Sequence, residues 1–337
     1  MTETPVSDFQ LPAPPPLPDG FGVRPAARAD VATLVALLRA EEVAASGESS
    51  VTESEVTAWF DSRRARERLS MLALQHEGSL IGLWRVTRVF DDKYSFAVVV
   101  DRSLPSDVVD ELWRAGLGWA ESAALIIAEA NGVSQPRADL WVFEHDALTR
   151  RHAEAAGFEQ ARAFIGMQLD LPVYRAPTGP ADVRVRQAQV DGADSADLAL
   201  MYELITESFR DHFDFTERTL DDWTDNRLQD PLGTFDHWYL AELDGVAVGG
   251  LIGHDAFLES DNAGYVANLG VLREGRGRGV AKALLHASFA RYAADGRAAV
   301  KLHVDADSPT GATHLYESVG MYRRLVGYDY HKHLGAR

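Results

Sequence analysis

An internal repeat constrains this chain more than any other feature. Residues 51–63 line up without a gap on residues 215–227, so that Thr52, Glu53, Trp59, Asp61 and Arg63 fall on Thr216, Glu217, Trp223, Asp225 and Arg227. Val23 and Arg24 match Val185 and Arg186, Gly78 and Gly82 match Gly245 and Gly249, and Glu154 and Gly157 match Glu317 and Gly320. Solenoid repeats recur every ~20–50 residues, whereas these offsets are about 160–170, so the chain carries two copies of one domain. Its 337 residues fit that division, since domains run to roughly 100–200 residues.

Prolines mark the boundaries. Pro12, Pro14, Pro15, Pro16 and Pro18 make residues 1–20 a proline-rich tail, with φ fixed and amide donors missing, expected to lie as a solvated arm on the body. A second break spans 172–182, leaving copies at 21–171 and 183–337. Each copy opens on a short strand (22–24, 183–186) and a helical segment (34–43, 198–209). A hairpin with a tight polar turn follows, at Glu77-Gly78 and Asp244-Gly245. Then come an apolar strand (96–100, 266–271), a long helix, a further strand (140–143, 300–304), and a last helix ending at Gly157 or Gly320. This order predicts an α+β (mixed α/β) fold, with a mostly antiparallel sheet flanked by helices in each copy.

Composition narrows the function. Without cysteine there is no disulfide, thiol nucleophile or thiolate metal site. A net charge of −18 argues against nucleic acid and anionic membranes as partners and suits a cationic small molecule. No apolar run approaches the ~20 residues of a membrane span, and no leader is expected. A cytoplasmic monomer or homodimer is therefore anticipated. His331-Lys332-His333 puts two imidazoles on one strand face, read as a surface end without a carboxylate partner, so no metal is expected.

The most informative segment runs Leu269-Gly270-Val271-Leu272-Arg273-Glu274-Gly275-Arg276-Gly277-Arg278-Gly279-Val280-Ala281-Lys282. It reads as strand, glycine loop and helix, with Ala281, Leu285, Phe289 and Tyr292 as the apolar stripe of the helix. Small residues let an anion approach the backbone, and the first helical amides and Arg276 and Arg278 would hold it. A Walker A loop fails because Val280-Ala281-Lys282 follows Gly279, and the dinucleotide G-x-G-x-x-G fails in either register. Arg276, Gly279 and Ala281 satisfy the third pattern, Arg/Gln-x-x-Gly-x-Gly/Ala.

That pattern resembles the GNAT acetyltransferase superfamily, whose loop wraps the pyrophosphate of coenzyme A. The segment 304–321, with Leu315-Tyr316-Glu317 and Gly320-Met321, is similar to the GNAT segment of Asn, Leu-Tyr-Glu and Gly-Phe, with Ser308 and Met321 as departures. Through the repeat, the resemblance extends to a tandem GNAT protein. It implies acetyl-CoA as co-substrate, held by Leu269, Gly270, Val271, Arg276, Gly277, Arg278, Gly279, Val280, Ala281, Lys282 and Ser308. It also implies Tyr316 as the acid for the departing thiol, and a backbone amide along Leu269–Val271 against the thioester carbonyl.

The first copy departs from this pattern. Ser103–Asp110 falls opposite the glycine loop, where Pro105 has no amide and Asp107 and Asp110 repel phosphate. Ala153 stands where Tyr316 does, so one working site, in the second copy, is expected. An amine of pKa near 10.4 is only ~0.1% neutral near pH 7.4, a cost of about 4 kcal/mol, so a base or water chain must take its proton. His212, Glu259 and Asn268 are the candidate acceptor-binding residues, although an asparagine cannot serve as base. The alternatives are a coenzyme A sensor without turnover and an enzyme acting on a peptide or protein N-terminus.

Overall fold

Two matched hairpins organise the molecule. Their turns, Glu77-Gly78 (φ +48° and +83°) and Asp244-Gly245 (φ +50° and +78°), are left-handed at both central residues, as two-residue type I′ hairpins require. Each hairpin carries a bulge just beyond its turn, at Leu74/Gln75 and at Ala241/Glu242, so the repeat extends to the irregularities of the backbone. The structure, a computed structural model, describes residues 11–335 except 172–173, 178, 213–214, 231–232 and 309–310. The first ten residues of the tail, Pro172, Val173 and Thr178 of the break, and Pro309 and Thr310 of the GNAT-like segment thus lie outside the described residues.

The first copy folds as β1 (Phe21–Pro25), α1 (Val31–Ser46), α2 (Glu53–Asp61), α3 (Arg63–Arg68), β2 (Leu69–His76), β3 (Ser79–Phe90), β4 (Lys93–Val100), α4 (Ser106–Ala130), β5 (Arg137–Phe143), α5 (Ala147–Ala155) and β6 (Glu159–Asp170). The second follows with β7 (Val183–Gln187), α6 (Ala196–Phe209), α7 (Leu220–Leu228), β8 (Trp238–Leu243), β9 (Val246–His254), α8 (Leu258–Asp261), β10 (Ala263–Val271), α9 (Val280–Ala294), β11 (Ala299–Asp305), α10 (Ala312–Ser318) and β12 (Tyr322–His333).

The chain forms two compact units, one of Met1–Phe164 with Leu325–Arg337 and one of Ile165–Arg324. The last strand therefore completes the first unit: Gly327–His333 of β12 pairs antiparallel with Phe143–Arg137 of β5. The strand order is β1-β2-β3-β4-β5-β12 in the first unit and β7-β8-β9-β10-β11-β6 in the second. Among the described strand registers β4–β5 and β10–β11 are parallel and the others antiparallel, so the sheets are mixed and mostly antiparallel, as the element order predicts.

The first core packs Leu112, Trp113, Leu117 and Trp119 of α4 on Trp84, Phe96 and Val98 of the sheet. The tail contributes to it: Leu11 and Leu17 pack there, and the Trp119 indole donates to the Pro12 carbonyl at 3.1 Å. In the second unit Leu198, Met201 and Leu204 of α6 pack with Trp223, Trp238 and Leu240. On α9 the buried residues are Val280, Leu284, Leu285, Ser288, Phe289 and Tyr292, so the stripe opens on Val280 rather than Ala281. Tyr174 of the break lies against this helix, edge-on to Phe289 at 5.8 Å. Among the described residues no helix is long and apolar enough to cross a membrane.

The gap-free match at residues 51–63 is displaced in space. Thr52 caps α2 by accepting from the Glu55 amide, whereas α7 is capped by Thr219 accepting from Asp222. Thr216, the sequence match of Thr52, lies before that helix. The matched letters therefore slip by three residues, nearly one helical turn.

Two glycines of α4 give a paired stability test. A Cβ on Gly116 would stand 2.6 Å from the buried Trp84 indole nitrogen, while one on Gly118 meets nothing within 4 Å. Gly118→Ala should gain about 0.5–1 kcal/mol from helix propensity. Gly116→Ala should instead lose about 1–3 kcal/mol by overpacking, lowering the thermal midpoint by roughly 3–10 °C. Calorimetry checks both, and equal midpoints would show that the indole has room to withdraw.

Candidate active site

The site is built where two parallel strands part. β10 and β11 are in register only from Ala263–Tyr265 to Ala299–Lys301, although they run on to Val271 and Asp305. On its other side β10 stays paired with β9, with a register shift between Val266 and Asn268 that leaves Ala267 as the extra residue. The bulge reverses the alternation of the strand. A Cβ on Gly264 would strike Tyr292 of α9, and one on Gly270 would strike Ser208 of α6, although an even spacing would otherwise put both on one face. Tyr265, Asn268 and Gly270 consequently share the α6 face.

Along the opened edge, the backbone is available. The Leu272 amide donates to Val248 of β9 at 2.9 Å, so even-numbered residues here face β9. Leu269 and Val271 present their amides and carbonyls to the wedge, where the Val271 carbonyl accepts from Arg276 Nε at 3.1 Å.

The glycine loop closes the wide end. Gly277 and Gly279 have φ +74° and +79°, and Gly279 is the N-cap of α9. Among the described residues, nothing accepts from the amides of Gly277 to Lys282; the first bond of the turn is Ala283 to the Gly279 carbonyl, 3.0 Å. A Cβ on Gly277 meets nothing within 4 Å, whereas one on Gly279 would lie 2.8 Å from Pro180. Gly277 thus fronts open space and Gly279 is held by packing. The guanidinium donors differ from expectation: Arg278 pairs with Asp182, and Arg276 turns back onto Val271. That leaves the backbone amides, with exposed Lys282 beside them, as the donors the loop presents.

At the narrow end stands Tyr316 on α10, 9% exposed. Burial, and Tyr265 nearby, push its hydroxyl up to about 12, so it stays protonated at physiological pH. Burial pushes Tyr265 likewise to about 12. The Tyr265 hydroxyl lies 3.2 Å from His303 Nδ1. Phe257 stacks at a tilt on both rings, at 5.4 Å from Tyr265 and 6.5 Å from His303. Neither Tyr265 nor His303 stands out in the sequence; only the register that sets Tyr265 beside Lys301 brings them to one face. Ser308 follows β11 in a turn, its amide donating to Asp305 at 3.1 Å.

The acceptor candidates separate. His212 packs on Phe209 with ring centroids 4.5 Å apart. Burial lowers its pKa; Asp305 opposes that shift and Arg276 reinforces it. Asn268 is held by Arg227, which donates to its Oδ1 at 2.9 Å. Glu259 is exposed on the short α8, before β10 begins. It lies at the end of that strand away from the glycine loop.

The first unit uses the same frame differently. The Phe158 amide bonds the Ala153 carbonyl at 2.9 Å, as the Met321 amide bonds Tyr316 at 3.1 Å, so Ala153 does occupy the place of Tyr316. Helix α4 starts behind Pro105, and Arg102 before it is tied to Glu41 at 2.6 Å and Asp146 at 3.1 Å. His331 does have carboxylates beside it, Asp329 at 3.0 Å and Asp139 at 3.6 Å, contrary to the surface-end expectation. Asp139 also binds Lys93 at 3.0 Å and Arg137 at 2.9 Å, so the cluster is a charge network across β4, β5 and β12.

Comparison with known proteins agrees with this frame. A profile described as acetyltransferase (GNAT) family matches residues 198–321. The mycothiol acetyltransferase of Thermobispora bispora is 30% identical over 293 residues, 85% of this chain and 95% of that protein. That of Streptomyces griseus is 31% identical over 220 residues, 64% of this chain and 66% of that protein. Among solved structures, a GCN5-related N-acetyltransferase from Sphaerobacter thermophilus has TM-score 0.77 at 24% identity, covering 95% of this chain and 98% of that one. A tandem GNAT protein from the clavulanic acid biosynthesis pathway has TM-score 0.68 at 14% identity, covering 94% and 99%. The chain belongs to the GNAT acetyltransferase family, as an acyltransferase of tandem-GNAT architecture similar to mycothiol acetyltransferases.

Proposed function

We propose that the protein transfers the acetyl group of acetyl-CoA to the amine of a small molecule, at one site in the second copy. The observation that carries this is the run of unbonded amides from Gly277 to Lys282 at the mouth of the β10–β11 wedge, with a buried, protonated Tyr316 at its inner end. Bound acetyl-CoA supplies an activated acyl thioester. The amides and the positive end of α9 hold its pyrophosphate, the Leu269 and Val271 edge aligns its arm, and a Leu269 or Val271 amide hydrogen-bonds the acyl oxygen.

Tyr316 hydrogen-bonds the departing sulfur. From a phenol near 12 to a thiolate near 8.5, complete proton transfer is uphill by roughly 5 kcal/mol. Tyr316 therefore stabilises developing charge, and the thiol gains its proton from the nitrogen side of the reaction. The first copy, with Pro105 and Ala153 in place of the amide turn and the hydroxyl, is a structural half. The alignment with a mycothiol acetyltransferase over 85% of this chain favours a small-molecule acceptor related to mycothiol over a peptide N-terminus. His212 and Asn268 are its binding residues, and a reaction drawing on acetyl-CoA belongs in the cytoplasm.

The test is release of free coenzyme A thiol from acetyl-CoA across a panel of small amines. Release with at least one amine is expected. Micromolar acetyl-CoA binding without release from any amine would make the protein a coenzyme A sensor instead.

A further inference from the structure

We propose that His303 is the proton acceptor that frees the amine, with Tyr265 fixing the orientation of its ring; this rests on the acetyl-transfer reading. None of the acceptor residues expected from sequence fills the role. Asn268 has no basic nitrogen, Glu259 is exposed on the short α8, and the His212 ring packs against Phe209.

His303 is on β11 just past the last registered pair, Tyr265 with Lys301, where the two strands part. Its side chain is exposed although Phe257 and Tyr265 flank it at 6.5 and 5.8 Å, as expected of the wall of an open wedge. Nδ1 lies 3.2 Å from the Tyr265 hydroxyl, and among the described residues Nε2 has no partner. Tyr265 is also the neighbour that acts on Tyr316, so the imidazole and the phenol that meets the leaving sulfur belong to one cluster.

The charged and titratable groups around His303 keep it neutral. Although its edge is open to solvent, desolvation by the groups packed around it comes first, and Lys301 on the same strand second, in lowering its pKa below the ordinary 6.5. Lys301 is itself bound to Asp261 of α8 at 2.9 Å. Tyr265 of β10 and Tyr316 of α10 stay uncharged at neutral pH. In the working tautomer, Nδ1–H donates to the Tyr265 oxygen and the Nε2 lone pair faces the wedge.

The proton balance follows. His303 Nε2 takes one proton from the ammonium, and the freed nitrogen bonds the acyl carbon as the carbon–sulfur bond breaks. The nitrogen sheds a second proton as the amide forms. One of the two ends on the thiol, and the other leaves through His303 to solvent.

The experiment is the pH dependence of kcat/KM with an alkylamine of pKa near 10. With His303 as base the ammonium is the substrate. In the wild type, kcat/KM should rise tenfold per pH unit on the acid side and level off before pH 6.5 is reached, because His303 titrates below the ordinary imidazole value. His303→Asn keeps an amide donor for Tyr265 and loses the basic nitrogen. It should fall about 100-fold or more at pH 7, climb tenfold per unit toward the pKa of the amine, and approach the wild type there. Acetyl-CoA affinity is the control for folding, with His303→Gln as the second variant if Asn perturbs it. A merely structural role would lower kcat/KM equally at every pH and would overturn the proposal, as would a wild type that climbs to pH 10 or a variant that keeps the wild-type plateau. Those results leave acetyl transfer standing. A wild type that acetylates no amine would instead overturn the functional reading and this inference with it.

Discussion

Gly277→Asp is expected to weaken acetyl-CoA binding about 100-fold or more, and Gly277→Asn by less than about tenfold. Both residues tolerate a left-handed backbone better than other side chains, so the strain at φ +74° is shared. Space is available as well, since a Cβ there meets nothing within 4 Å. Only the charge differs. A carboxylate about 5 Å from a pyrophosphate charge costs roughly 3 kcal/mol at an effective dielectric near 20. Gly279 is unsuitable for this comparison, because any side chain there runs into Pro180 2.8 Å away and a folding defect would imitate a binding defect. Calorimetric titration reads the two affinities. Equal losses would detach the loop from the anion.

Tyr316→Phe should lower turnover about 10²–10³-fold while leaving acetyl-CoA affinity within about threefold, the pattern of a donor used as charge develops. The ring remains to fill its buried place on α10, so the thermal midpoint should move little. Turnover and affinity falling together would make Tyr316 a packing residue. Because its hydroxyl titrates only near 12, this variant should not change the shape of the pH profile below pH 9. A new acidic or basic limb in Tyr316→Phe would assign the profile to the wrong group.

The glycine loop was legible in the chain because its requirements are local: small residues, positive φ, and helix-forming residues after Gly279. The correspondence of Ala153 with Tyr316 was equally legible, since Gly157 and Gly320 close the same turn in both copies. Sheet register was not. The place of Tyr265 beside Lys301, and of His303 just past it, depends on pairing between strands more than thirty residues apart. The bulge at Ala267, which turns Asn268 onto the face of Tyr265, has no signature in residue type. The union of β12 with β5 is likewise a long-range choice: the alternating apolar positions of 325–333 fit any sheet edge. The slipped match at Thr52 and Thr216 shows the opposite hazard, where matched letters outlast the alignment of the helices. The pairing of Arg278 with Asp182 was hidden for a similar reason, because it joins the loop to the break almost a hundred residues earlier.

In the proposed function one copy carries the chemistry and the other its frame. Counting acetyl-CoA bound to the intact chain by isothermal titration, for the wild type and Gly277→Asp, tests this most directly. One molecule per chain is expected in the wild type and none at the same concentrations in the variant. Two molecules per chain, or one that persists in Gly277→Asp, would contradict it.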